Sequence, residues 1–278
     1  MRPLLEDLVI GPSASPSFTT GYRWEDAQRR LRVVFSGQTI AESHHVQLLH
    51  EFGRLPVYYF PRADVDVTAW EVSDLHTDSP LKGRASYWHV RAGDRMAENA
   101  AWTYPQPAND APPLAEYLAF YWDKMDAWYA EAEQLFAHAR DPYKWIETLP
   151  STRHVQVVLN GQTIADTHRP VLVLETGLPI RQYIHRDDIQ MDALARSSTV
   201  TWCAYKGAAA HLSATIDGHE VADIAWTYPT PLAPTAAIAD LVCFYNERVD
   251  AIIVDGAMLA RPTTQWSSGA LMPSPPAS

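Results

Sequence analysis

The sequence predicts a mainly β protein, with some α, built as two tandem copies of one domain, each closed by a C-terminal helix. Three observations carry that expectation. First, segments recur at a fixed spacing. "SGQTIAESH" from Ser36 returns as "NGQTIADTH" from Asn160, and "AWTYPQP" from Ala101 returns as "AWTYPTP" from Ala225, an offset of 124 residues both times. The same offset links Lys82 to Lys206 and Phe120 to Phe244, so no insertion separates the copies. Second, turn dipeptides at matched places separate short runs of strand-forming residues, which is how hairpins are written. Third, Leu114, Leu118, Tyr121, Met125 and Trp128 fall at helical spacing near the end of the first copy.

In chain order, residues 1–30 read as an arm draped on the first copy. Residues 31–137 are the first repeat, 138–152 a linker and 153–258 the second repeat; the Pro/Ser-rich stretch 259–278 reads as a disordered tail. Each copy opens with two strands, joined at Ser36-Gly37 in one and at Asn160-Gly161 in the other, the latter a dipeptide suited to a type I′ turn. A strand follows ("PVYYF", "RQYI"), then an Arg-x-Asp step, then an extended run to a Lys-Gly pair. A second hairpin turns at Gly93-Asp94 and at Asp217-Gly218. The Trp-Thr-Tyr-Pro segment is expected as an ordered loop, because its prolines cannot continue a ladder. Two such copies are expected to pack with pseudo-twofold symmetry, imitating a dimer within a monomeric chain.

The 278 residues carry a formal net charge of −11 and no Lys/Arg run, which argues against nucleic acid as a partner. Only two cysteines occur, Cys203 and Cys243, in neither a CxxC pair nor a zinc-like spacing. Free thiols, no long apolar stretch and no signal-like N-terminus place the chain in the cytoplasm, away from membranes.

Several residues are candidates for chemistry. Cys203 lies three residues before Lys206, close enough in a turn for the ammonium to favour a thiolate; the plain alternative is a small buried hydrophobe. Cys243 aligns with Ala119 and reads as packing. Lys82 and Lys206 hold matched positions and suit an anion clamp, or else a surface turn. Arg62/Asp64 and Arg186/Asp188 read as pairs on a strand edge, converging on a pocket or simply on each other. Glu51 and Glu175 are candidate acids or bases, or turn caps. Trp102 with Tyr104, and Trp226 with Tyr228, would wall a flat ligand or plug a core. His44 and His168 end matched hairpins. With no second histidine or carboxylate at ligand spacing in the sequence, they read as exposed, and no metal centre is expected.

The run Glu175-Thr176-Gly177-Leu178-Pro179, with Tyr183, Arg186, Asp188, Cys203-Ala204-Tyr205-Lys206-Gly207 and Ala225-Trp226-Thr227-Tyr228-Pro229, resembles the bacterial domain of unknown function 427 family. The first copy matches through Glu51, Gly53, Tyr58-Tyr59-Phe60-Pro61-Arg62, Asp64, Lys82-Gly83, Tyr87-Trp88 and Trp102-Thr103-Tyr104-Pro105. The resemblance implies a β-tent fold, shared with the thalidomide-binding domain of cereblon and with methionine sulfoxide reductase B, whose ligands sit in an aromatic cleft. The family has also carried a nucleotidyltransferase label; no glycine-rich phosphate loop occurs here. The family's pocket segment resembles Cys-Pro-Tyr-Lys-Gly. The first copy departs from it at Ser79 and Leu81, the second at Ala204, and His211-Leu212 stands where the first copy has Tyr87-Trp88.

Together these readings give a small-molecule-binding protein. Its pocket is expected in the second repeat, with Cys203 and Lys206 as catalytic candidates and Tyr183, Tyr205, Trp226 and Tyr228 as walls. Arg186 and Asp188 would position polar groups, and Glu51, Tyr59, Arg62, Asp64, Lys82, Trp102 and Tyr104 are the first-repeat equivalents. A non-catalytic sensor or carrier is the alternative, and the sequence names neither substrate nor cofactor.

Overall fold

The computed structural model describes residues 21–52, 54–264 and 267. Residues 1–20 of the expected arm and most of the expected tail lie outside them. The first half contains strands β1 (Tyr22–Asp26), β2 (Leu31–Phe35), β3 (Gln38–Ser43), β4 (Gln47–Glu51), β5 (Val57–Pro61), β6 (Glu71–Ser79), β7 (Gly83–Ala92), β8 (Arg95–Pro107), β9 (Tyr117–Phe120), β10 (Ala127–Ala130) and β11 (Glu133–Leu135). The second contains β12 (Ile146–Pro150), β13 (Val155–Leu159), β14 (Gln162–Thr167), β15 (Val171–Glu175), β16 (Arg181–Ile184), β17 (Leu194–Cys203), β18 (Gly207–Ile216), β19 (His219–Thr227), β20 (Val242–Phe244), β21 (Ala251–Val254) and β22 (Ala257–Met258).

Each half folds into a seven-stranded and a four-stranded antiparallel sheet. The larger sheets run β1-β4-β5-β9-β8-β7-β6 and β12-β15-β16-β20-β19-β18-β17; the smaller run β11-β10-β2-β3 and β22-β21-β13-β14. Strand for strand the two orders are the same. The cores match as well. Leu31, Val33, Phe35, Ile40, Phe60 and Phe120 are buried in the first half; Val155, Val157, Leu159, Ile164, Ile184 and Phe244 are buried at the corresponding positions of the second. The opening hairpins turn as expected: Ser36 and Gly37, and Asn160 and Gly161, all have positive φ, as a type I′ turn requires.

Two elements differ from the sequence expectation. The segment from Leu114 is not a helix but a 3₁₀ turn (Leu114–Glu116), β9, a second 3₁₀ turn (Trp122–Lys124), β10 and β11, and the only helical elements among the described residues are 3₁₀ turns. β9 closes the gap between β5 and β8, through Tyr59↔Ala119 and Ala101↔Phe120, and β10 pairs with β2 through Trp128↔Val33. Without them whole rows of buried backbone groups would be orphaned, a cost far above the few tenths of a kcal/mol that helix propensity offers per residue. The second copy carries the signal: Glu131-Ala132 aligns with Asp255-Gly256, a strong hairpin dipeptide. In the first copy the Trp-Thr-Tyr-Pro segment is not a loop, since it lies within β8; in the second, β19 ends at Thr227, Tyr228 makes an isolated bridge to Ala239, and Pro229 leaves the ladder as expected. The first copy's prolines are tolerated because β9 pairs with β8 only at Ala101 and Trp102, which leaves one side of β8 unpaired at Pro105 and Pro107.

The ends of the repeats are also more ordered than their composition suggests. β1 lies in the stretch read as an arm and β12 in the stretch read as a linker, yet each is the edge strand of its large sheet. Leu259 packs on the second core, and Arg261 donates to the carbonyls of Glu247 and Val249. No helix among the described residues is long and apolar enough to cross a membrane.

Gly83 and Gly207 follow the two matched lysines with φ of +93° and +95° and turn the chain into β7 and β18. A Cβ at Gly83 would stand 2.9 Å from the carbonyl oxygen of Gln106, whereas one at Gly207 meets its nearest atom at 3.5 Å. We expect Gly83→Ala to cost about 2–3 kcal/mol in urea unfolding and Gly207→Ala about 1 kcal/mol. Equal losses would contradict the packing described.

Candidate functional site

A cleft of about 360 Å³ opens on the large sheet of the second repeat. Its floor and walls come from strand ends that sheet order brings together: Glu175 on β15, Tyr183 on β16, Cys203 on β17, Trp226 on β19, and Tyr205 and Lys206 in the β17–β18 turn. Its roof comes from elsewhere. Arg54, Leu55 and Pro56 belong to the β4–β5 loop of the first repeat, and His138, Asp141 and Lys144 to the segment joining the repeats. That segment also grips the pocket turn. Phe136 stacks on Trp202 with centroids 4.3 Å apart, Arg140 Nε donates to the Ala204 carbonyl at 2.9 Å, and the Asp141 amide donates to the Tyr205 hydroxyl at 2.8 Å.

The matched lysines and glutamates meet. Lys206 Nζ donates to Glu175 Oε2, and Lys82 Nζ donates to Glu51 Oε2, in both halves across the ends of the same strands. The ammonium of Lys206 is therefore committed first to Glu175 and is not an open clamp. Lys144 Nζ approaches the other oxygen of Glu175 at 3.5 Å, while in the first repeat Arg54 Nε approaches Glu51 Oε1 at 3.1 Å. Lys206 is 8% exposed. Burial pulls its pKa down, but the neighbouring Cys203 sulfur and Glu175 carboxylate outweigh that and hold it above the ordinary lysine value, so it stays charged. Cys203 and Lys206 line the same cleft. Burial pushes the Tyr183 and Tyr228 phenols well up, so both remain protonated donors, and burial holds His138 below the usual imidazole range.

The aromatic wall is rigid. Trp226 Nε1 donates to the Tyr183 hydroxyl at 2.9 Å, with the two rings edge to face, and the guanidinium of Arg181 lies 5.5 Å from the Trp226 ring. Arg181 is itself held by a bidentate pair with Glu247, at 2.8 and 2.6 Å.

Sequence reasoning places Glu175, Tyr183, Cys203, Tyr205, Lys206, Trp226 and Tyr228 together, and the cleft contains all seven. Arg186 and Asp188 do not line it. They sit in a 3₁₀ turn, not on a strand edge, so their side chains do not follow strand alternation. Asp188 accepts from Thr167 Oγ1 and Arg169 Nε, and Arg186 donates to the Asp240 carbonyl. Arg62 and Asp64 repeat this arrangement, with Asp64 bound to Ser43 and Arg62 lying over Trp88. Cys243 is buried packing, and burial pushes its thiol up to about 12.

The first repeat departs from the second around the cleft. Trp24 stands where the second has Thr148, a position beside the cleft lining and not part of it, with its ring 5.4 Å from Tyr59, the equivalent of the lining residue Tyr183, and 5.2 Å from Tyr117. Tyr59, Tyr87 and Tyr104 join a buried cluster against which Trp24 and Trp102 pack. Val57, Ser79 and Leu81 occupy the positions of Arg181, Cys203 and Tyr205, and the Ser79 hydroxyl accepts from the Lys82 amide at 3.2 Å.

Arg54, His138, Lys144, Arg181 and Tyr245 also line the cleft, and sequence reasoning does not single them out. Arg181 has a signal, being a charge where the first copy has valine. The roof residues have none, because they lie outside the repeat they serve.

Removing one partner of a buried pair strands the other's charge. Glu175→Gln is expected to cost about 3 kcal/mol in urea unfolding, whereas Glu175→Leu combined with Lys206→Met restores most of that loss. A Glu175→Gln loss below about 1 kcal/mol would be the value of an exposed pair and would contradict the buried geometry.

A search of curated proteins finds no match. The model of a family described as a domain of unknown function (DUF427) matches twice, over residues 23–131 and 147–255. The two matches stand at the same offset that relates Lys82 to Lys206, and together they span most of the chain, taking in β1 and β12 at their starts. The chain belongs to the DUF427 family and carries two tandem copies of its domain.

Proposed function

We propose that the second repeat binds a small organic molecule in its inter-repeat cleft, one with a flat apolar part and an anionic group. The observation that carries this reading is the contrast between copies: one scaffold, with Trp24 packed into it in the first half and a lined cleft in the second. Tyr183, Trp226 and Tyr228 offer flat apolar walls with hydroxyl handles, the usual composition of a small-ligand site. Lys206 is held by Glu175, Arg181 by Glu247 and the Nε of Arg54 by Glu51, but the Arg54 side chain is 72% exposed at the roof beside Lys144, and these two roof cations favour an anion. We read each half as a β-tent-like domain, the two related by pseudo-twofold symmetry in a monomeric, cytoplasmic protein. On this reading the first repeat serves as scaffold and roof, and neither nucleic acid nor membrane is a partner.

A second reading, enzymatic use of Cys203, is favoured by one observation, that Cys203 lines the same cleft as the charged Lys206 ammonium. A thiolate is the nucleophilic form of cysteine, and a neighbouring cation favours it. The alternative is a sensor or carrier in which the thiol only lines the wall.

Two expected outcomes separate these readings. In a thermal-shift and calorimetric screen of small aromatic acids, Arg54→Ala should weaken binding several-fold, because its side chain is exposed at the roof, while Arg62→Ala leaves binding unchanged. Identical affinities would place the ligand elsewhere. Iodoacetamide at neutral pH should modify Cys203 and spare buried Cys243, and Lys206→Met should slow the reaction several-fold. Inertness of Cys203 in the folded chain would leave the non-catalytic reading standing.

A further inference from the structure

The β13–β14 hairpin carries a second cluster, on its solvent face and apart from the residues of the cleft. Antiparallel register pairs Val155 with Thr167 and Gln156 with Asp166, so His154 and His168 face each other at the open end of the hairpin. Asp166 lies two residues from His168 on the same strand face. One donor atom from each of His154, Asp166 and His168 lies within 4.8 Å of the others. His154 Nε2 is 2.8 Å from Asp166 Oδ1, the two imidazoles stack with centroids 4.1 Å apart at 13°, and Gln156 Nε2 donates to the second oxygen of Asp166 at 2.9 Å.

The first repeat provides the comparison. Its equivalent positions are Arg30, Glu42 and His44, and Arg30 Nη1 pairs with Glu42 Oε1 at 3.3 Å. There the protein supplies its own fixed cation to the carboxylate. In the second repeat that arginine is replaced by an imidazole, which at neutral pH is a ligand more than a charge, and a second imidazole faces it.

We infer that His154, Asp166 and His168 form a surface site for a first-row divalent transition ion such as Zn²⁺ or Ni²⁺. Imidazole nitrogen and carboxylate oxygen bind zinc at about 2.0–2.2 Å, so the donors of one coordination shell lie roughly 3–4 Å apart. The three side chains are exposed or half-buried at a hairpin end and reach that spacing by rotamer adjustment alone. The ion takes the place of the His154–Asp166 contact, Gln156 holds the carboxylate in place, and water completes the shell. Two imidazoles with one carboxylate suit zinc, nickel or copper rather than calcium or magnesium.

The test is calorimetric titration of the chelator-stripped full chain with Zn²⁺ and with Ni²⁺ at about pH 7.5, above the ordinary histidine pKa. One ion per chain is expected to bind at micromolar concentration, with affinity falling as the pH is lowered and protons compete for the ligands. His168→Ala should weaken binding at least about tenfold. His154→Arg should do the same while keeping the fold, because the first repeat already carries arginine there; unchanged circular dichroism checks this. His44→Ala should change nothing, and Cys203→Ser should leave binding intact. Absence of uptake at micromolar ion, or uptake equal in wild type, His154→Arg and His168→Ala, overturns the assignment and leaves an ordinary His–Asp pair.

Discussion

The lysine–glutamate pair at the head of each large sheet, buried at Lys206 and partly shielded at Lys82, is the interaction around which both halves are organised. It ties the end of the fourth-strand equivalent, β4 or β15, to the turn that starts the central hairpin. It also fixes where that turn stands over the sheet. A pair so shielded contributes little net stability compared with apolar packing, but it tolerates no loss of one partner. Its retention in both halves makes it a constraint on shape first. In the second repeat that constraint has a chemical consequence, because the lysine it holds in place also faces a thiol.

Around this shared frame the halves have diverged in one direction. The first repeat invests aromatic volume, with Trp24 and Tyr87 closing its sheet into a packed cluster. The second has Thr148 and His211 at those positions, and gains Arg181, Cys203 and Tyr205. The connecting segment then closes the second repeat's cleft from outside: Asp141 and Arg140 hold the pocket turn and Lys144 reaches Glu175. The two copies are thereby asymmetric, the first packing Trp24 against its tyrosine cluster and the second lining a cleft with Arg181, Cys203 and Tyr205. His211 belongs to this change. It bonds Thr201 through Nε2, while its buried Nδ1 has no partner among the described residues.

Much of this was legible in the sequence, for identifiable reasons. The repeat and the hairpins at Gly37, Gly161, Gly93 and Gly218 follow from a gapless offset combined with turn chemistry that has few solutions, and the grouping of Glu175, Cys203 and Lys206 in one pocket follows from the family resemblance. The expected helix failed because Leu114, Leu118, Tyr121, Met125 and Trp128 match a helical period by coincidence, while the strands they join need partners from far along the chain. Local periodicity does not record such pairing. Arg186 and Asp188 missed the cleft because a 3₁₀ turn breaks strand alternation. The roof residues and the His154–Asp166 contact were silent because both depend on which segments the fold brings together.

The central claim is that the cleft of the second repeat is a ligand site, its Tyr183 wall lacking the ring that packs on Tyr59 in the first. The most direct measurement is a side-by-side thermal-shift screen of small aromatic acids on the wild-type chain and on Thr148→Trp, which restores that ring. The account predicts hits on the wild type that vanish in a variant of equal or greater intrinsic stability. Hits that persist in the Thr148→Trp variant, or a wild-type chain that responds to nothing, would contradict it.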